Sequence, residues 1–213
     1  MKINHPLMHN NFAKSDMDAV RKLIKNKNLI LTQSKNVLEF ERRWSKWLGV
    51  KYSVFVNSGS SANLISMLIL KSLSSKKKEI IVPTLTWVSD INSVIMAGFK
   101  PIFVDIDPRT LSMNQEQVMG KINKNTLAIF VTHVQGFNGI SSKLISYLKK
   151  KKIILIEDVC ESHGATFNKK KLGTFGLISN FSFYYAHHMS TIEGGMICTN
   201  SKDIYEKARI FRS

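Results

Sequence analysis

Short β-branched and aliphatic runs recur along this chain with helical or loop segments between them, and that alternation restricts the fold more than any other feature. The runs are Tyr52 to Val56, Glu79 to Val82, Lys100 to Val104, Leu127 to Val131 and Ile153 to Glu157. Between them lie the helical patterns Ala62 to Leu73, Trp87 to Ala97 and Ser141 to Lys150. Strands alternating with helices predict an α/β fold with a mainly parallel sheet. Two late strands are expected near Ile178 to Phe183 and Met196 to Thr199, and a helix from Lys202 onward. Two amphipathic helices open the chain: Ser15 is placed to cap the first, through about Lys25, and Val37, Phe40, Trp44, Trp47 and Leu48 mark the second up to a stop at Gly49. Ile204 to Arg212 is helical in pattern with no stop signal after it, so residues 1–213 are expected to form one large domain with no second domain, an element still being built at its end.

With 213 residues and 44% hydrophobic content the chain can bury a substantial core. Met1 to Phe12 has no apolar signal-peptide region, and the longest aliphatic stretch, Leu64 to Leu70, is far short of a membrane span. A cytoplasmic protein with no membrane role is expected. Cys160 and Cys198 are too few for a disulfide framework or an all-cysteine metal site, and no metal site is expected. The formal charge of +16 is concentrated at Lys76–Lys78, Lys149–Lys152 and Lys169–Lys171, each beside an apolar run. These read as solvated loops and helix ends, and no aromatic residues interleave with them as a single-strand nucleic-acid platform requires. Nucleic acid is not expected as a partner.

Three segments carry the chemistry. Val56-Asn57-Ser58-Gly59-Ser60-Ser61-Ala62-Asn63 takes a strand through a small-residue turn into a helix N-terminus, a setting that serves either as a phosphate cup or as a plain helix cap. Ile156-Glu157-Asp158-Val159-Cys160-Glu161 puts acids at the carboxyl end of a buried-looking strand, where open α/β sheets gather ligands. Asp158 there suits either a protonated ring nitrogen or a cap on the next segment. Trp87 fits a flat ring or the core. His187 and His188, in Phe183-Tyr184-Tyr185-Ala186-His187-His188-Met189, offer imidazoles that move protons, donate hydrogen bonds or bind metal. His133 and His163 read as structural, and both cysteines as small buried hydrophobes.

In order, Asn57-Ser58-Gly59-Ser60-Ser61-Ala62, Val82-Pro83-Thr84-Leu85-Thr86-Trp87, Asp105-Ile106-Asp107, Glu157-Asp158 with Gly164-Ala165, Gly173-Thr174-Phe175-Gly176, and Phe181-Ser182-Phe183 through Glu193-Gly194-Gly195 resemble the motifs of the DegT/DnrJ/EryC1/StrS sugar aminotransferase family over nearly the whole chain. The resemblance implies the large domain of a fold type I, aspartate-aminotransferase-like scaffold binding pyridoxal or pyridoxamine 5′-phosphate. Its substrate would be a nucleotide-linked keto-sugar and its amino donor glutamate, in a homodimer. Carried over by position, Gly59, Ser60 and Ser182 would hold the cofactor phosphate, Trp87 would stack on the pyridine ring, Asp158 would pair with the ring nitrogen, and Glu161 would lie beside the ring.

His187 falls at the family's Schiff-base lysine, which resembles the branch of sugar 3-dehydratases in biosynthesis of deoxysugars for polysaccharide. The substitution implies a cofactor working in its amine form, with His187 as general base and its conjugate acid helping the sugar C3 hydroxyl leave. The family's glycine before Glu193 is Ile192 here, a departure that bears on the local turn. An aminotransferase of altered chemistry is the alternative outcome. The family continues into a C-terminal domain that this chain lacks, so a fragment or split-gene half is a further alternative.

Overall fold

The computed structural model describes residues 10, 12–73 and 76–213. Most of the Met1 to Phe12 segment lies outside the described residues. The elements in chain order are α1 (Lys14–Ile24), α2 (Lys35–Leu48), β1 (Tyr52–Val56), α3 (Gly59–Leu73), β2 (Glu79–Pro83), α4 (Val88–Met96), β3 (Lys100–Val104), α5 (Gln115–Lys121), β4 (Thr126–Thr132), α6 (Ser142–Lys151), β5 (Ile154–Asp158), the short strands β6 (Thr166–Phe167) and β7 (Lys170–Lys171), β8 (Ile178–Ser182), β9 (Gly195–Thr199) and α7 (Lys202–Arg212). A 3₁₀ turn at Val134–Gly136 follows β4.

Seven strands form one sheet in the order β1-β9-β8-β5-β4-β2-β3. The pairs β2·β3, β2·β4, β4·β5 and β5·β8 are parallel, while β9 is antiparallel to both β1 and β8. Within this sheet β9 alone therefore runs against the rest. Alternate side chains of each strand enter different apolar layers: Ile80 and Val82 pack with α3, α4 and α7, whereas Ile81 packs with α2, α5 and α6. Covering on both faces explains why β4, from Thr126 through Val131, is buried without interruption and reads as an apolar run rather than an alternating one. Among the described residues no helix is long and apolar enough to cross a membrane.

Local chemistry sets most boundaries. Gly49 ends α2 in the left-handed region, φ 92°, as its position after Leu48 predicts. Ser15 does not cap α1. Ala13 holds that position, and the Asp16 carboxylate three residues on accepts the Ala13 N–H at 2.8 Å. The acid satisfies an orphan donor more strongly than a hydroxyl does, and Ser15 is carried into the first turn. Helix α3 starts at Gly59, earlier than the apolar pattern from Ala62 predicts, because Ser58 accepts the Ser61 N–H through its hydroxyl and the Ala62 N–H through its carbonyl, both at 3.1 Å. Its buried residues include Gly59, Ala62, Asn63, Ile65, Ser66 and Met67, so α3 is a central helix that carries Asn63 and Ser66 into the interior.

The winding reverses between β2 and β4, where the chain leaves toward β3 on one side and toward β5 on the other. Carboxyl ends at such a reversal open a crevice. All six co-directional strands of the sheet end at that edge, at Val56, Pro83, Val104, Thr132, Asp158 and Ser182, and β9 begins there at Gly195. Lys76–Lys78 precede β2, and Lys149–Lys151 form the last turn of α6 with Lys152 as its C-cap, so both clusters lie at the opposite, amino edge; Lys169 sits at the turn of the β6–β7 hairpin and Lys170 and Lys171 in β7.

Candidate active site

At the carboxyl edge, β1 delivers the N-terminus of α3 against the end of β8. A Cβ on Gly59 would lie 2.7 Å from the Ser182 Cβ and 3.0 Å from the Cys160 Sγ, and one on Gly195 only 2.2 Å from the Ser58 carbonyl oxygen. Only glycine permits these approaches. With Ser58 occupying the Ser61 and Ala62 amides, the Gly59 and Ser60 amides are the open donors of the helix start, next to the Ser182 hydroxyl.

Glu157 and Asp158 are adjacent in sequence and point to opposite sides of β5, with different tasks. Glu157 is fully buried. Its Oε1 accepts the amides of Phe175 (2.8 Å) and Gly176 (2.6 Å), and its Oε2 accepts that of Gly173 (2.8 Å). His133 Nδ1 accepts the Gly139 N–H at 3.0 Å, so its proton sits on Nε2 and is donated to Glu157 at 3.2 Å. The motif Gly173-Thr174-Phe175-Gly176 is thus a loop wrapped around one carboxylate, and His133 is structural.

Asp158, buried at the crevice, accepts the Cys160 N–H through Oδ1 at 2.8 Å and the Asn63 amide through Oδ2 at 3.1 Å. Its charge reaches Glu161, His163 and His187. Burial raises the half-buried Glu161, and Asp158 adds to the rise while His188 opposes it. Burial also pushes the Cys160 thiol well above its ordinary range, reinforced by Asp158, which leaves it unreactive.

Trp87 is the N-cap of α4 and is 63% exposed, so its indole is available at the edge rather than lost in the core. Residues 183–194 form a loop tied at its base by Phe183 N–H to the Gly194 carbonyl (2.8 Å) and Thr191 N–H to the Phe183 carbonyl (3.0 Å). His187 sits within it, its N–H bonded to the Tyr184 carbonyl at 3.0 Å. Beneath lies a bed of aromatic rings: Trp44 meets Phe183 edge-on at 4.8 Å and Phe181 at 5.1 Å, and the His163 ring is 5.5 Å from that of His188 and 6.5 Å from that of His187. Burial lowers His187, Asp158 pulls it up, and His188 lowers it further. The result is a neutral imidazole at neutral pH, fit to accept a proton. His163, more deeply enclosed, is pushed down to about 4 by burial, with His188 and His187 adding to it.

Ile192, where the family resemblance places glycine, keeps the left-handed backbone, φ 72°, with its side chain 63% exposed. A β-branched residue is strained there. Ile192→Gly is expected to raise stability by about 1 kcal/mol, and a thermal melt that does not move upward would contradict this.

Gly59, Ser60, Trp87, Asp158, Glu161, Ser182 and His187 are thereby gathered at one edge of the sheet. A polar cluster of Asn63, Thr86, Asp90 and Thr132 adjoins Asp158; Asn63 and Thr86 lie within motifs legible in the sequence, whereas Asp90 and Thr132 carry no signal there. Among the described residues no group of three or more His, Cys, Asp or Glu is placed to hold a metal ion.

This is an α/β domain of the kind that gathers a ligand at the carboxyl edge of a doubly wound sheet. The pattern of the DegT/DnrJ/EryC1/StrS aminotransferase family matches residues 10–213, and the chain belongs to that family. It is 36% identical over 207 residues to the GDP-4-keto-6-deoxy-D-mannose 3-dehydratase of Escherichia coli O55:H7, covering 95% of this chain and 53% of that protein. Among solved structures, Helicobacter pylori PseC, an aminotransferase involved in the biosynthesis of pseudoaminic acid, superposes with a TM-score of 0.92 at 29% identity, over 98% of this chain and 55% of its own. A GDP-4-keto-6-deoxymannose-3-dehydratase with a trapped PLP-glutamate geminal diamine superposes with a TM-score of 0.90 at 36% identity, over 97% and 54%. The chain spans about half the length of the curated relatives it matches.

Proposed function

We propose that this chain is the cofactor-binding part of a pyridoxamine 5′-phosphate-dependent nucleotide-sugar 3-dehydratase. The observation that carries the reading is His187: at the crevice it provides a neutral imidazole where an aminotransferase of the family needs a lysine amine. The residues fit the cofactor. Open amides at Gly59 and Ser60 beside the Ser182 hydroxyl suit a phosphate, and their packing is closed to any Cβ on Gly59. Asp158 supplies a buried carboxylate for the ring nitrogen, and the exposed face of Trp87 a surface for the ring. Bound there, the cofactor would supply an amine for the C4 ketone of a 4-keto-6-deoxy nucleotide sugar and a ring that accepts electrons.

Each residue then has a bounded task. Asp158 keeps the proton on the ring nitrogen. With the cofactor bound, His187 would accept the proton released at its C4′ carbon and, as imidazolium, would give one to the departing C3 hydroxyl. Glu161 lies beside the ring, and the enclosing loop of residues 183–194 limits water. Histidine at position 187 offers no primary amine to the cofactor there, which would favour loss of the hydroxyl over amino transfer. The family relationship supports a cytoplasmic enzyme acting as a homodimer with glutamate as amino donor.

The test is product analysis with a 4-keto-6-deoxy nucleotide sugar, cofactor and glutamate. Loss of the C3 hydroxyl is expected. A stable 4-amino sugar would instead establish the aminotransferase reading, which the likeness to Helicobacter pylori PseC favours. Failure of the purified polypeptide to bind cofactor or dimerise would count against this reading and favour an inactive fragment or a split-gene half.

A further inference from the structure

We propose that Asp90 is a positioning residue that holds the one proton of the buried Asp90–Asp158 pair and thereby fixes Asp158, as the anion of that pair, against the ring nitrogen of the cofactor. This rests on the cofactor reading above. Asp90 lies in the first turn of α4, three residues past Trp87, and is wholly buried. The Asn63 Nδ2 donates to both acids, at 2.6 Å to Asp90 Oδ1 and 3.1 Å to Asp158 Oδ2. A directional chain sets that amide: Ser66 Oγ donates to Asn180 Oδ1 at 2.8 Å, and Asn180 Nδ2 donates to Asn63 Oδ1 at 2.9 Å. With its oxygen so occupied, Asn63 can present only its NH₂ group to the acids. On its other side Asp90 Oδ2 accepts from the hydroxyls of Thr86 and Thr132, the latter at 2.7 Å, and these two hydroxyls lie 2.7 Å apart across the reversal between β2 and β4.

Two buried carboxyls within hydrogen-bonding reach of each other do not both ionise without a cation between them. The neighbours acting on Asp90 are Asp158, Thr86 and Thr132, with no lysine or arginine among them. The other titratable groups facing the pair are Cys160, Glu161, His163 and His187. Burial first, and then the Asp158 charge, raise Asp90 well above the usual carboxylate range; the Thr86 and Thr132 hydroxyls oppose the rise without cancelling it, so the proton stays with the pair on the Asp90 side. A single anion matches the single positive charge of a protonated ring. A second anion would add to the pull that Asp158 already exerts on His187 and draw that base toward its inactive, protonated form.

The experiment compares wild type, Asp90→Asn, Asp90→Val and Asp158→Asn for two properties: affinity for pyridoxamine 5′-phosphate, and the pH midpoint at which the bound ring loses its nitrogen proton, read from its absorbance. Asparagine mimics the protonated acid, so Asp90→Asn is expected to keep that midpoint within about half a pH unit. Valine removes the hydrogen bonds, and Asp90→Val is expected to weaken cofactor binding about tenfold or more. A fall of the midpoint by about one unit or more in Asp90→Asn would show that Asp90 carries a charge and overturn the proposal. So would wild-type affinity in a folded Asp90→Val. If Asp90→Val does not fold, the Asp90→Asn midpoint decides alone. No binding by wild type, or equal binding by wild type and Asp158→Asn, overturns the cofactor reading itself and the proposal with it.

Discussion

His187→Lys, incubated with pyridoxal 5′-phosphate and then reduced with borohydride, is expected to retain a covalently attached pyridoxyl group through denaturation, while the wild-type chain loses its cofactor under the same treatment. The loop that holds residue 187 is tied at both ends by the Phe183 and Thr191 amides, so the new amine is presented at the same crevice. Two of the lysine clusters, Lys76–Lys78 and Lys149–Lys152, lie at the amino edge of the sheet, remote from the site. The label should therefore map by mass spectrometry to the peptide containing residue 187. Its absence, or its appearance on another lysine, would show that this position does not face the reactive carbon. The same substitution removes the neutral base, and C3-hydroxyl loss should fall by about 10²–10⁴-fold, the usual contribution of a positioned general base.

Glu157→Ala should unfold the chain at markedly lower denaturant, with a loss of at least about 3 kcal/mol. Three loop amides and the His133 Nε2–H converge on this carboxylate, and alanine leaves all of them buried without an acceptor. Glu157→Gln should fall between wild type and alanine. Its remaining oxygen serves Phe175 and Gly176, but its NH₂ group faces the donors of Gly173 and His133. Urea titration of the three proteins checks the order, and a Glu157→Ala midpoint equal to wild type would mean that the loop finds other partners.

Much of the fold is legible in the sequence because β-branched runs and glycine stops report local physics. Tyr52–Val56 and Lys100–Val104 have the bounds that composition predicts, and Gly49 ends α2 where expected. Helix α5 is not legible. Among its residues only Val118 is buried, and it is started by the Asn114 side chain, which accepts the Glu116 and Gln117 amides at 3.1 and 3.0 Å. An apolar periodicity cannot mark an element with one buried position. The two-residue strands β6 and β7 are too short to leave any pattern.

The site divides similarly. Gly59, Ser60, Trp87, Asp158, Glu161, Ser182 and His187 lie in contiguous motifs at strand ends, where chain order alone suggests a shared edge. Asp90 does not, and its contact with Asn63, which ends the first of those motifs, is not written in chain order. They lie on different helices, and only the packing of α3 beside α4 brings their side chains together. Glu157 and Asp158 are neighbouring acids at one strand end, and the family resemblance singles out Asp158 without giving Glu157 a task. Which of them supports a loop and which faces the crevice depends on the register of β5, a tertiary property.

The reversed strand β9 has a consequence for how this architecture diversifies. Because β9 enters the sheet at the edge where β8 leaves it, the intervening segment closes on itself and takes no part in any crossover between layers. Phe183 and Gly194 anchor the segment in the core, whereas the stretch from Tyr184 to Glu193 pairs with no strand, so its residues can be exchanged while strand pairing and the Gly59–Ser182 contact are left as they are. The scaffold thus behaves as a socket with a replaceable reactive insert, and related catalysts can arise by rewriting a few consecutive codons rather than by remodelling a core.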